Sequence, residues 1–257
     1  SAFSQTELLV ALYLGGILRH HPQDPKWPER DRFIISKGQG GIGLYAVLGR
    51  CGYFPMAELD NFCGVGSHLS VHAEAGVPGI EVHSGSLGHG LPIATGIAQA
   101  GKLDGRQWLV FCLLGDAELY EGSNWEAAIY AGHAELSNLV CVVDRNGQGV
   151  LGFSDDIQSK KDGPRTESLE EKFRAFGFET RRFNGHDYAA IFAAFADARE
   201  RAARSAQPLA LIADTVKGHG SSVMANQRLW HYRVPQGEEL EQVRAELEDQ
   251  RRALCGE

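Results

Sequence analysis

Apolar positions recur every three or four residues at the start of the chain: Leu8, Leu9, Ala11, Leu12 and Leu14. That spacing predicts a helix over residues 4–19, opened by a capping box of Ser4 with Glu7. A polar turn, HHPQDPKWPERD, precedes a short apolar stretch, Phe33-Ile34-Ile35, and a glycine cluster, Lys37-Gly38-Gln39-Gly40-Gly41. Residues 42–51 read as a helix, and residues 55–84, rich in Gly, His and Ser without a period, read mostly as loop. Small residues mark a further helix from about Gly88 to Gly101: Gly90, Ala94, Gly96, Ala98 and Ala100. Each glycine within a helix costs about 1 kcal/mol relative to alanine. Several together point to close packing against another backbone or a ligand.

The second half alternates. Trp108–Leu114 and Leu139–Val143 are apolar runs of buried-strand type, with a predicted helix over Asn124–Ala134 between them. Glu179–Phe183 reads as a third strand and Leu209–Val216 as a fourth. Between them Asp187–Arg204 reads as one helix with Ile191, Phe192, Phe195 and Ala198 facing in. A charged helix over residues 237–254 closes the chain. Strands alternating with helices predict an α/β fold, a mostly parallel sheet flanked by helices on both faces. No linker divides the 257 residues, so residues 1–257 read as a single domain.

Charge and composition narrow the function. The net charge of −8 opposes a basic nucleic-acid footprint. No apolar run approaches the roughly 20 residues that span a bilayer. Neither a nucleic acid nor a membrane is therefore expected as a partner. The five cysteines are odd in number and lack C-x-x-C spacing. Cys112 and Cys141 sit inside the apolar runs FCLL and VCVV. They read as buried thiols of a reducing compartment, which places the chain in the cytoplasm.

Ligands of open parallel sheets bind beyond the carboxyl ends of the strands. Two such ends carry chemistry: Gly115-Asp116-Ala117-Glu118, and Asp144-Arg145-Asn146-Gly147-Gln148. Their strands are separated by one helix and can be neighbours, which would bring Asp116 and Asn146 together. One carboxylate and one amide oxygen form a hard, low-charge donor set suited to Mg²⁺ or Ca²⁺ beside a phosphate. The competing reading makes Asp116 a helix cap and Asn146 a turn residue. Gly85-Ser86-Leu87-Gly88-His89-Gly90 precedes the small-residue helix, and backbone amides there can cradle an anion. It is not G-x-G-x-x-G, which disfavours a dinucleotide-binding domain. Cys63, His68 and His72 offer a zinc-like spacing without a fourth ligand. His20, His21, His133 and His186 read as surface or helix-end residues, His83 as structural, and His89 as either structural or site-facing.

Gly115-Asp116 with Asn146 thirty positions after the aspartate resembles the thiamine diphosphate-binding motif. More narrowly, the chain resembles the amino-terminal half of the transketolase family, on five stretches in order. They are Arg32 to Gly38; Gly85 to Gly90; GDAELYEGSNWE from Gly115 to Glu126; Val143 to Gly149; and Thr215 to Gly220 with Trp230-His231. The resemblance implies a thiamine diphosphate-binding fold. Asp116, Asn146 and the Gln148 backbone carbonyl would hold Mg²⁺, with Ca²⁺ or Mn²⁺ as substitutes. Gln39, Gly85, Ser86, Leu87, Gly115, Ala117, Glu118, Asn146 and His231 would line the cofactor. His72 and His231 would meet the substrate, and Glu121 would join the cofactor-activation network across a subunit interface. Gln39 stands where the family has a histidine; it donates a hydrogen bond but cannot become cationic.

The family's pyrimidine-binding domain, with its cofactor-activating glutamate, is not read in these 257 residues and is expected on a separate chain. The expectation is the diphosphate-binding subunit of a two-chain transketolase, in an α₂β₂ heterotetramer with a partner carrying that domain. It would move a two-carbon ketol unit from a ketose donor to an aldose or another acceptor. Alternatives are transfer to a lipoyl or acyl-carrier protein thiol, and the decarboxylating component of a 2-oxo acid dehydrogenase. A non-catalytic subunit has Gln39 in its favour and Asp116, Glu121 and Asn146 against it.

Overall fold

The computed structural model describes residues 2–150, 152–154, 168–231 and 233–256. Five strands are described: β1 (Arg32–Ile35), β2 (Val110–Gly115), β3 (Leu139–Arg145), β4 (Glu179–Asn184) and β5 (Leu209–Asp214). They form one parallel sheet in the order β1-β2-β3-β5-β4. Its helices are α1 (Thr6–Tyr13), α2 (Gly41–Cys51), α3 (Gly90–Leu103), α4 (Gly122–His133), α5 (Leu169–Ala175), α6 (Tyr188–Phe195), α7 (Ala198–Arg204) and α8 (Glu238–Cys255).

Alternation along each strand sends side chains to two buried layers. Phe33, Ile35, Phe111, Leu113, Val140, Val142, Leu209 and Leu211 pack with α1, α2 and α6. Ile34, Val110, Cys112, Leu114, Cys141, Val143, Ala210 and Ile212 pack with α3, α4 and α5. The predicted α/β sheet with helices on both faces is therefore present. Strand β4 lies at the edge and carries Arg181 and Arg182, a charged border that discourages further pairing. Cys112 and Cys141 are register partners, free and fully buried, and burial pushes both thiols up. Cys63 and Cys255 are exposed, unlike a uniformly buried set. Among the described residues no helix is long and apolar enough to cross a membrane.

Three predicted features differ. The first helix ends at Tyr13 rather than residue 19. Gly16 takes a φ of 77°, and a Cβ on Gly15 would press on the Ala11 carbonyl and the Phe192 ring. The Ser4–Glu7 capping box does not form: Ser4 lies in a 3₁₀ turn (Phe3–Gln5), and its hydroxyl donates to Asp144 Oδ2 at 2.7 Å. A capping box does form at Ser168 and Glu171, opening α5. The predicted 187–204 helix splits into α6 and α7, because Arg181 takes the Ala194 carbonyl (2.9 Å) and the Asp197 carboxylate at the break. Phe192, expected inward, is 41% exposed.

One backbone approach makes a stability prediction. A methyl on Gly132 of α4 would overlap the Phe176 carbonyl oxygen. Alanine gains about 1 kcal/mol of helix propensity, but overpacking costs about 1–3 kcal/mol and a backbone atom cannot swing aside. Gly132→Ala should therefore lower the urea midpoint, and a variant as stable as wild type would contradict this packing.

Candidate active site at the carboxyl edge of the sheet

The carboxyl ends of β1, β2, β3 and β5 converge on one edge, where a buried charge cluster sits. Lys37 follows β1 and forms an ion pair with Asp144 of β3; both side chains are essentially inaccessible. Asp144 also accepts from Ser4 Oγ and from Thr215 Oγ1 beyond β5. Burial alone would push the Asp144 carboxyl up, but Lys37 and these donors outweigh it and hold it below the usual carboxylate range. Lys217, also buried, lies 2.7 Å from His231 Nδ1. Burial and the neighbouring Lys37 lower the Lys217 ammonium to about 8. Burial and Lys217 lower His231 to about 4, so neutral His231 accepts from the lysine. Lys37 is neutralised by Asp144, so the desolvated Lys217 is the cation of this edge suited to an anion.

The adjacency inferred for the two loaded strand ends is present, since β2 pairs with β3 and Gly115 is in register with Asp144. Asp116 is 2% exposed; its Oδ2 accepts from Gly147 N at 2.9 Å and Ser154 Oγ at 2.5 Å. Burial raises its carboxyl, with Asp144 adding to the rise. Asn146 Oδ1 accepts from Gln148 N at 3.2 Å, closing a tight turn in which Gly147 has a φ of 74°. Gln148 Oε1 is buried without a hydrogen-bond partner. A carboxylate, an amide oxygen and an unsatisfied buried oxygen on one loop pair are the chemistry of a hard-cation site. The cap reading of Asp116 is not realised: it stands at the N-cap of a 3₁₀ turn (Ala117–Tyr120) without a side-chain cap bond.

The turn before α3 packs onto the same edge. Gly85 has a φ of 114° and lies against the His72 ring, and a Cβ on Gly38 would overlap the Gly85 amide. Gln39, half-buried, lies in the 3₁₀ turn Gly38–Gly40 opposite. Ser86 is exposed and Leu87 half-buried, so their backbone lies at the surface of the site. The Glu118 carboxylate is also engaged within the chain. At 2% exposure, its carboxylate accepts from Ser36 Oγ, Gly88 N (3.0 Å) and Gly115 N (3.1 Å), fastening three site segments together. Ala117 fits its position with its methyl against Gly149. Glu121 is exposed, its side-chain stem against Gly88.

The structure therefore brings Gln39, His72, Gly85, Ser86, Leu87, Gly115, Asp116, Ala117, Asn146, Gln148 and His231 to one edge. Sequence reasoning assigned no role to Lys37, Asp144 or Lys217, although each stands in a motif stretch. Their signal was a charged residue inside the carboxyl end of an apolar strand or within three residues of it. His20 and His186 are half-buried rather than on the surface. His20 bridges Tyr53 Oη and the Tyr13 carbonyl.

The family described as "Transketolase, thiamine diphosphate binding domain" matches residues 2–251. One of the subunits of apulose-4-phosphate transketolase from Actinobacillus succinogenes is 39% identical over 248 residues, which cover 96% of this chain and 86% of that protein. The 6-deoxy-6-sulfo-D-fructose transketolase subunit SqwG of a Clostridium species is 36% identical over 222 residues, 86% of this chain and 77% of that one. Among solved structures, Campylobacter jejuni transketolase superposes with a TM-score of 0.80 at 30% identity, over 94% of this chain. The chain spans 37% of that longer protein.

Proposed function

Because the chain belongs to the transketolase thiamine diphosphate-binding family, we propose that it is the diphosphate-binding subunit of a two-chain, thiamine diphosphate- and Mg²⁺-dependent transketolase. It works as a transferase, moving a two-carbon ketol unit from a ketose donor to an aldose acceptor. The observation that carries the reading is the pairing of a hard-oxygen loop, Asp116 to Gln148, with the desolvated Lys217 on one sheet edge. The two relatives are named for sugars, which does not favour a carrier-thiol acceptor.

Bound thiamine diphosphate supplies the electron sink for breaking a carbon–carbon bond beside a carbonyl. Asp116, Asn146 and the Gln148 carbonyl would hold Mg²⁺, and Lys217 with His231 would meet the negative charge of the diphosphate. The backbone of Gly85, Ser86 and Leu87, with Gln39 and Gly115, would contact the cofactor. His72 and His231 hydrogen-bond donor hydroxyls. Glu121 faces the subunit interface. Relatives that are themselves named as single subunits, and are covered over most of their length, support a partner chain that carries the pyrimidine-binding domain and the activating glutamate. An α₂β₂ assembly in the cytoplasm completes the proposal.

Native mass spectrometry of the chain from its own host, with Mg²⁺ and thiamine diphosphate, tests it. A heterotetramer with two cofactors is expected; a cofactor-free monomer would sink it. Lys217 adds a pH prediction. Its ammonium is charged below about 8 and neutral above, so cofactor affinity should weaken as pH rises through that value. Lys217→Met should remove that alkaline limb.

A further inference from the structure

Beside the site, but outside the roles above, lies a cluster of Glu7 on α1, His186 after β4 and His219 after β5. His186 Nδ1 is 3.1 Å and His219 Nε2 3.4 Å from the same Glu7 oxygen, and the two imidazoles stack at 3.6 Å. The His186 side chain is 10% exposed. The grouping suggests a metal, but one bond argues against it. Val216 N donates to His186 Nε2 at 2.8 Å. A nitrogen that accepts an N–H carries no proton, so in the neutral ring the proton sits on Nδ1, facing Glu7. A metal-bound histidine needs the reverse, a free lone pair on Nδ1 and an N–H on the other nitrogen.

We infer that His186, whose Nε2 accepts from Val216 N, is a positioning residue that tethers the Val216–Lys217 backbone and so aims the Lys217 ammonium at the anion site. The tether is short in sequence: Val216 immediately precedes Lys217. The segment is otherwise fastened by Thr215 to Asp144 and by Asn226 N to the Lys217 carbonyl at 2.9 Å. Gly185 permits the approach, since a Cβ there would press on Thr215 Cγ2. The same α1 region that anchors Asp144 through Ser4 thus reaches the far side of Lys217 through Glu7. The groups facing His186 are Glu7 from α1, His219 from the loop after β5 and, near Glu7, Tyr188 of α6. Burial and the neighbouring His186 lower the His219 imidazole, and Glu7 opposes the shift.

The inference rests on the proposed anion role of Lys217, and the test separates the two. Imidazole ¹⁵N spectra of the chain should show His186 with a protonated Nδ1 and a bare Nε2. Amide-exchange protection at Val216 should fall about five- to tenfold in His186→Phe. His186→Gln, which keeps an acceptor near the Nε2 position, should retain it. In the assembled complex, thiamine diphosphate affinity with Mg²⁺ should follow the same order. His186→Gln serves if the phenylalanine variant does not fold, and loss of Val216 protection in it would overturn the tether. Unchanged Val216 protection in His186→Phe overturns the tether, as does Zn²⁺ binding that puts the His186 proton on Nε2. If protection falls while Lys217→Met binds cofactor like wild type, the tether stands and the anion role of Lys217 fails.

Discussion

Asp116→Ala leaves a folded chain that no longer binds thiamine diphosphate in a Mg²⁺-dependent way: this is the expected result of largest functional effect. Asp116 supplies the charged member of the hard-oxygen set, beside an amide oxygen from Asn146. Outer partners of a metal ligand are already worth about 10–100-fold in affinity. Loss of the carboxylate itself should therefore exceed about 100-fold. The stability cost is smaller, because the removed group is desolvated, although the Gly147 amide and Ser154 hydroxyl lose their acceptor. Asp116→Asn keeps that acceptor and removes only charge, so it should fold like wild type and bind Mg²⁺ weakly. Isothermal titration of the assembled complex with and without chelator decides the matter. Unchanged affinity in Asp116→Ala would remove the metal assignment.

The second large effect is on stability. Lys37→Met leaves Asp144 fully buried with its cation gone. Breaking one side of a buried pair costs about 3–5 kcal/mol, because the remaining charge stays desolvated. Ser4 and Thr215 offset part of this, since both still donate to Asp144. In wild type the Asp144 carboxyl is held low, so its contribution is present above the unfolded value of about 3.9 and is lost only as pH falls through the lower folded value. Without Lys37 the carboxyl is raised instead, and the deficit of the variant should shrink as pH falls and Asp144 takes a proton. Replacing both residues, Lys37→Met with Asp144→Leu, should recover much of the loss. Urea unfolding at two pH values measures both effects. A single variant within about 1 kcal/mol of wild type would show that the pair is not the keystone of this edge.

Much of the architecture was legible because burial on both faces leaves a period and a composition. The runs around Phe111 and Val142 announce buried strands, and helices between them require parallel crossovers. Asp116 and Asn146 were legible for the same reason: each follows such a strand, and adjacent parallel strands deliver their carboxyl ends together. The failures share a cause as well. Ser4 and Glu7 satisfy a local capping pattern, yet Ser4 serves Asp144, 140 positions away, and Glu7 faces His186. Arg181 splits a helix that its own periodicity would carry through residue 204.

By itself, then, the sequence determined the parallel α/β sheet, the family, and the oxygen-rich strand ends, since these rest on local spacing and on burial repeated along the chain. Only the tertiary structure decided that Lys37 neutralises Asp144, that Lys217 is desolvated beside His231, and that Glu118 fastens three turns. Those outcomes depend on which distant group arrives to share a site without water. In that setting the charge of a side chain is set by its neighbours rather than by its type.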